Sequence, residues 1–124
     1  PGVGQKLLDL YPDYRIFCFH GDLGAGKTTL IKEIISKKDN VKKDVIVSPT
    51  FVYCNLYETC AHFDLYRLKN PQEFTFMGFD ELFDTHLCLI EWPERLVELP
   101  QKRIDVFIEH ETQNTRRIMY EKST

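Results

Sequence analysis

The stretch that most constrains this 124-residue chain is Gly21-Asp22-Leu23-Gly24-Ala25-Gly26-Lys27-Thr28, which fits G-x-x-x-x-G-K-[ST] at every specified position. Its glycines let the backbone turn tightly and aim amide hydrogens inward, forming an anion-binding nest. Before it, Ile16-Phe17-Cys18-Phe19 is a continuous apolar run, the pattern of a strand covered on both faces. After it, Leu30, Ile31, Ile34 and Ile35 recur at helical spacing, which predicts a helix from Lys27 to about Lys38 packed on a sheet. Strand, glycine turn and helix in that order form a site for a nucleoside triphosphate. The helix N-terminus adds its positive end, Lys27 bridges the β- and γ-phosphates, and the Thr28 hydroxyl ligates Mg²⁺. Asp22, Leu23, Gly24, Ala25 and Gly26 complete the expected phosphate cradle.

Such a loop needs an acidic residue at a neighbouring strand end to hold Mg²⁺, directly or through water. Glu91 closes the run Leu87-Cys88-Leu89-Ile90, and Asp64 closes the shorter Ala61-His62-Phe63. If both line the site, one fixes the metal and the other orients or deprotonates an attacking water. The competing reading of either is a capping or ion-paired surface carboxylate. Ser48-Pro49-Thr50 has two readings as well: a proline-stiffened switch that senses the γ-phosphate, or a turn in which Ser and Thr bond to local backbone.

The rest of the chain alternates strand-like and helix-like segments. Gly4 to Leu10 suits a short amphipathic helix. Val45 to Val47, Phe51 to Tyr57 and Ala61 to Leu65 are expected as strands, joined to the first helix by the charged loop Lys37 to Asp44. Asn70 is placed as an N-cap with Pro71 at the first helical position, and Gly78 to Phe83 reads as a second short helix. Leu87 to Ile90 reads as a buried strand, and Arg103 to Glu109 and Arg116 to Glu121 as two strands joined by a polar turn. The expected architecture is α/β: a sandwich around a central mixed, largely parallel sheet flanked by helices, in one domain spanning residues 1–124.

Composition narrows the function classes. Sixteen Lys and Arg against nineteen Asp and Glu give a net charge of -3, which argues against a free-standing nucleic-acid binder. The longest apolar runs are strand-sized, so no membrane span is expected. No secretory leader is visible, and the opening on Pro1 rather than Met is consistent with trimming. Cys18, Cys54, Cys60 and Cys88 are expected as reduced thiols in the cytoplasm. Cys54, Cys60 and His62 lack the spacing of a metal centre.

A small GTPase would carry D-x-x-G and N-K-x-D. Asp64 is followed by Leu65, Tyr66 and Arg67, and no N-K-x-D occurs. A small-molecule kinase would carry an arginine-rich lid, which is also missing, so an ATPase is the favoured reading. Gly21 to Thr29, Ser48-Pro49-Thr50-Phe51, His62-Phe63-Asp64-Leu65-Tyr66-Arg67-Leu68, Phe76-Met77-Gly78 and Ile90-Glu91-Trp92-Pro93 together resemble, in order and rough spacing, the successive motifs of the bacterial TsaE (YjeE) ATPases.

That resemblance implies binding and hydrolysis of ATP with Mg²⁺ in support of tRNA threonylcarbamoyladenosine biosynthesis. It further implies a threonylcarbamoyl-transferase partner (TsaD-like), that partner's inactive paralogue (TsaB-like), and tRNA held through their complex. By position, Lys27 and Thr28 take the phosphate and Mg²⁺ roles, with Thr29 completing the loop. Glu91 takes the Mg²⁺ role and Asp64 a catalytic or γ-phosphate role, while Ser48, Thr50 and Glu94 lie near the nucleotide and the tail near Asn114 approaches the nucleoside. The family's segment before Gly4 is expected to be missing here, so base and ribose contacts are unassigned. Trp92 is either a partner-docking ring or a strand-end residue packed under the sheet. Arg67 is either an internal arginine finger or half of a surface ion pair. A nucleotide-controlled binding module with incidental hydrolysis is the rival functional reading.

Overall fold

The computed structural model describes residues 2–22, 24–46 and 53–123. Six strands form one sheet in the order β2-β3-β4-β1-β5-β6. They are β1 (Ile16–His20), β2 (Cys54–Leu56), β3 (Cys60–Asp64), β4 (Leu87–Glu91), β5 (Ile104–His110) and β6 (Arg116–Lys122). The inner strands β3, β4, β1 and β5 run parallel, and β2 and β6 pair antiparallel at the two edges. The expected mixed, largely parallel sheet is therefore present.

Alternation along the parallel strands builds two cores, one on each face. Phe17, Phe19, Leu89, Ile104 and Val106 meet Leu7 of helix α1 (Val3–Leu10) and Leu30, Ile31, Ile34 and Ile35 of helix α2 (Lys27–Asp39). On the other face Cys18, Phe63, Leu65, Cys88 and Ile90 pack with Phe74 of the short helix α3 (Gln72–Phe76) and with Phe79, Leu82 and Phe83 of a 3-10 segment (Phe79–Asp84). The continuous apolar reading of β1 is explained by this double cover: Phe17, Cys18 and Phe19 are fully buried. Glu33 of α2 fastens α1 by accepting the Gly4 amide hydrogen bond at 2.8 Å. Helix α3 starts one position later than expected, with Pro71 as the capping residue, while Asn70 Oδ1 accepts from the Gln72 amide at 3.0 Å in the turn before it.

Two expectations need correction. Helix α2 runs through Lys37, Lys38 and Asp39, ending at Asn40 in a left-handed conformation, so the charged segment begins as helix. The two lysines suit the negative end of the helix. Val45 closes a 3-10 turn (Lys43–Val45) rather than opening a strand, with its amide bonded to the Lys42 carbonyl at 3.1 Å. It is 60% exposed. Neighbours Lys42, Lys43 and Asp44 keep this segment in water, and only Ile46 is buried and extended. Val47, Ser48, Pro49, Thr50, Phe51 and Val52 lie outside the described residues, as does Leu23. The readings placed on them are not addressed by the geometry. Among the described residues no helix is long and apolar enough to cross a membrane.

All four cysteines are free, and burial pushes each thiol up to about 12. Native protein at pH 8 should alkylate with iodoacetamide much more slowly than the unfolded chain, whose thiols ionise near the usual value of about 8.5. Mass spectrometry of timed samples would read this, and equal rates with and without urea would contradict it. The stability consequence has a definite sign. The folded chain keeps thiol protons that the unfolded chain releases above about pH 9, so this contribution is present below that pH and lost as pH rises.

Candidate functional site

Strand β1 ends at His20 and the chain turns through the glycine loop into α2. Gly24 and Gly26 adopt φ of 79° and 102°, a left-handed backbone that glycine enters without a Cβ penalty. Gly26 is also the residue on which α2 starts. The loop therefore delivers its amides and the positive helix end to one place.

That place is a cleft of about 470 Å³, walled by residues 24–29 of the loop and by Asp64, Tyr66, Arg67, Glu91, Trp92 and Arg116. Asp64 and Glu91 are register partners at the C-terminal ends of adjacent parallel strands, so the sheet brings the two sequence-predicted carboxylates side by side. Thr28 Oγ1 donates to Glu91 at 2.9 Å and 3.1 Å, one distance to each carboxylate oxygen. From behind, His62 Nε2 lies 2.7 Å from Glu91 Oε2. A carboxylate only accepts, so this nitrogen carries the proton. His62 is fully buried, and its Nδ1 has no hydrogen-bond partner among the described residues. Glu91 is thus clamped between a hydroxyl that faces the loop and an imidazole beneath it. His62 serves this carboxylate, and among the described residues no group of three or more His, Cys, Asp or Glu side chains is arranged to hold a metal.

Lys27 is 4% exposed. Its ammonium donates to the Gly21 carbonyl and lies 3.6 Å above the Trp92 ring centre, a cation–π contact. Burial lowers its pKa, and the carboxylates of Glu91, Glu94, Asp64 and Asp22 pull it back up. Burial raises the pKa of Asp64, with Glu91 adding to the rise, while the Tyr66 amide, His62 and Lys27 oppose it. Trp92 lies between the two earlier readings. It is half-buried, packs against the second core, and turns its ring into the cleft beside Tyr66, at 4.9 Å between centroids. Its own backbone is left-handed at φ 61°, a conformation that costs a bulky residue roughly 1–3 kcal/mol. This kink turns the chain directly after Glu91.

Several expected residues sit apart from the cleft wall. Asp22 supports the loop with its carbonyl, which accepts the Ala25 amide at 3.0 Å, and lies against β5. Glu94 is exposed on a 3-10 turn (Pro93–Arg95) and reaches Lys27 only through its charge. Asn114 occupies the β5–β6 turn, where its amide bonds to Thr112. Sequence reasoning missed Arg116 and Tyr66 as cleft residues and His62 as the support of Glu91. The alternation of Cys60, His62 and Asp64 along one strand is the signal that places His62 on the face of Glu91.

The donor set is hard oxygen: one hydroxyl and one carboxylate in contact, with a second carboxylate beside them. This suits Mg²⁺, which takes one or two protein carboxylates plus phosphate oxygens and water rather than a protein cage. A central parallel strand running through a glycine loop into a helix, with carboxylates at the neighbouring strand ends, defines the P-loop NTPase-like α/β class. The family model described as "Threonylcarbamoyl adenosine biosynthesis protein TsaE" matches residues 2–118. The chain belongs to the TsaE family.

Among its relatives, the "tRNA threonylcarbamoyladenosine biosynthesis protein TsaE" of Haemophilus influenzae is 43% identical over 100 residues, covering 73% of this chain and 60% of that protein. The same-named protein of Rickettsia typhi is 43% identical over 88 residues, covering 68% and 60%. That of Aquifex aeolicus is 29% identical over 122 residues, covering 94% and 84%. The chain thus spans 60% of the length of the first two relatives. The crystal structure of Bacillus subtilis YdiB superposes with a TM-score of 0.64 at 27% identity, covering 88% of this chain and 68% of that one.

Proposed function

We propose that the chain binds ATP with Mg²⁺ in this cleft and hydrolyses it to ADP and phosphate in support of tRNA threonylcarbamoyladenosine biosynthesis. The observation that carries the reading is the line Thr28–Glu91–His62 facing the glycine loop, with Asp64 in register beside it. Lys27 supplies the fixed counter-charge for the β- and γ-phosphates. Thr28 and Glu91 hold Mg²⁺, whose charge offsets that of the phosphate oxygens when it is bound. Asp64 orients the attacking water and takes its proton as the new P–O bond forms and the bond to ADP breaks. Its raised pKa supports that role, since a base works best near the operating pH. Ser48 and Thr50 are proposed as the γ-phosphate switch, and Glu94 as an outer charge that tunes Lys27.

The partners in this reading are a TsaD-like transferase and its TsaB-like paralogue, with tRNA reached through them because the net charge of -3 gives little electrostatic hold on RNA. Four free thiols suit the cytoplasm. The test is ATP turnover measured alone and then with both partner proteins. Stimulation of about tenfold or more is expected of a partner-activated enzyme. ATP-dependent partner binding without any turnover would favour a nucleotide-controlled binding module instead.

A further inference from the structure

The cleft has one wall that comes from far along the chain. Arg116 opens β6 and stands opposite His110 of β5 in the antiparallel register. The two residues meet the glycine loop together. His110 Nε2 lies 2.9 Å from the Gly24 carbonyl, and the Arg116 guanidinium lies over Gly26, where a Cβ would fall 2.7 Å from its Cζ. Neighbouring arginines are neutralised: Arg117 pairs with Glu109 at 3.3 Å and Arg103 with Asp105 at 3.2 Å. Among the described residues no carboxylate lies within ion-pair distance of Arg116, although it borders a cleft that contains Asp64 and Glu91. A guanidinium offers a planar fork of donors matched to phosphate oxygens. Here it is held beside a backbone nest and a helix N-terminus, two features that favour anions in the same place.

We propose that Arg116 is a phosphate-contacting residue of the nucleotide site, delivered by the β5–β6 hairpin to the same anion as Lys27. The proposal rests on the nucleotide reading above and adds to it a cationic group from the far end of the chain. The φ of 102° at Gly26 accounts for the absence of a side chain there, and the space it leaves is where the exposed guanidinium end of Arg116 lies. Arg117 points elsewhere in the same hairpin and serves as the internal control.

The experiment is calorimetric titration of the whole chain with tripolyphosphate in the presence of Mg²⁺, a probe with phosphates and no nucleoside. R116A, R117A and K27A are compared with the unmodified protein at one salt concentration. R116A should weaken binding about tenfold, the scale of one charge-assisted phosphate contact, while R117A stays within about twofold. Binding by R116A equal to that of the unmodified protein, with K27A impaired, would overturn this proposal and leave the nucleotide reading standing. Equal losses in R116A and R117A would overturn it too, by showing general charge attraction. If the unmodified protein binds neither tripolyphosphate nor ATP, both readings fall together.

Discussion

Replacing Lys27 by alanine is expected to lower ATP turnover by about 100-fold or more and ATP affinity by about tenfold, the scale seen when a preorganised charge is removed from a buried phosphate site. The side chain is 4% exposed, and its ammonium touches both the Gly21 carbonyl and the Trp92 ring. Among the described residues no other lysine borders the cleft, and Arg67 and Arg116 reach its wall from outside the glycine loop. Trp92 is the single tryptophan of the chain, which makes intrinsic fluorescence a direct readout. ATP that draws the ammonium off the ring should change the emission of the unmodified protein, and K27A should begin from a different emission and respond less. K27M is the packing control, because it keeps an unbranched stem against the ring. Turnover and affinity left unchanged by both substitutions would remove the phosphate-loop assignment.

Glu91→Gln should keep the fold and lower turnover by about 100-fold, with the Mg²⁺ concentration for half-maximal rate raised about tenfold. The carboxylate accepts from Thr28 on one side and His62 on the other. Both donors reach Oε2, Thr28 at 3.1 Å and His62 at 2.7 Å, so a glutamine with its oxygen at that position keeps both bonds and turns its NH₂ toward the Thr28 hydroxyl, which can accept. Thermal stability should therefore change little, and the lost charge is what the substitution tests. Magnesium titrations of E91Q and D64N side by side assign the two carboxylates. Asp64→Asn should depress turnover with little change in magnesium requirement. The opposite pattern, with D64N shifting the magnesium dependence and E91Q leaving it alone, would mean that the two roles are exchanged.

The sequence exposes those parts of the site that are local in the chain. Lys27 and Thr28 follow a glycine pattern whose spacing is fixed by the turn itself, and Glu91 ends an apolar run short enough to be read as a strand. Asp64 is legible for the same reason, whereas His62, two residues before it, lacks the spacing of a metal ligand and has no role assigned from the sequence. Its role as the support of Glu91 depends on the pairing of β3 with β4, a long-range fact. Arg116 is hidden more completely. Its role depends on β5 lying beside β1, which brings the β6 end to a loop about ninety positions earlier in the numbering. Val45 fails for the opposite reason: its β-branched side chain favours a strand locally, and the surrounding charges override that preference.

Strand β1 is synthesised long before either of its neighbours, since β4 begins at Leu87 and β5 at Ile104. During translation α1 and α2 can form and pair soon after they emerge, because their contacts are close in sequence. Phe17, Cys18 and Phe19 meanwhile have no strand on either side until the second half of the chain arrives. A nascent chain stopped before Ile104 thus carries a recognisable phosphate loop on an unfinished strand with one bare edge, a template for mispairing with other chains. Completion of the loop's support therefore comes late, after β4 and β5 have been made. A ribosome stall or proteolytic cut ahead of β5 would yield a sticky fragment rather than a weakened form of the whole fold.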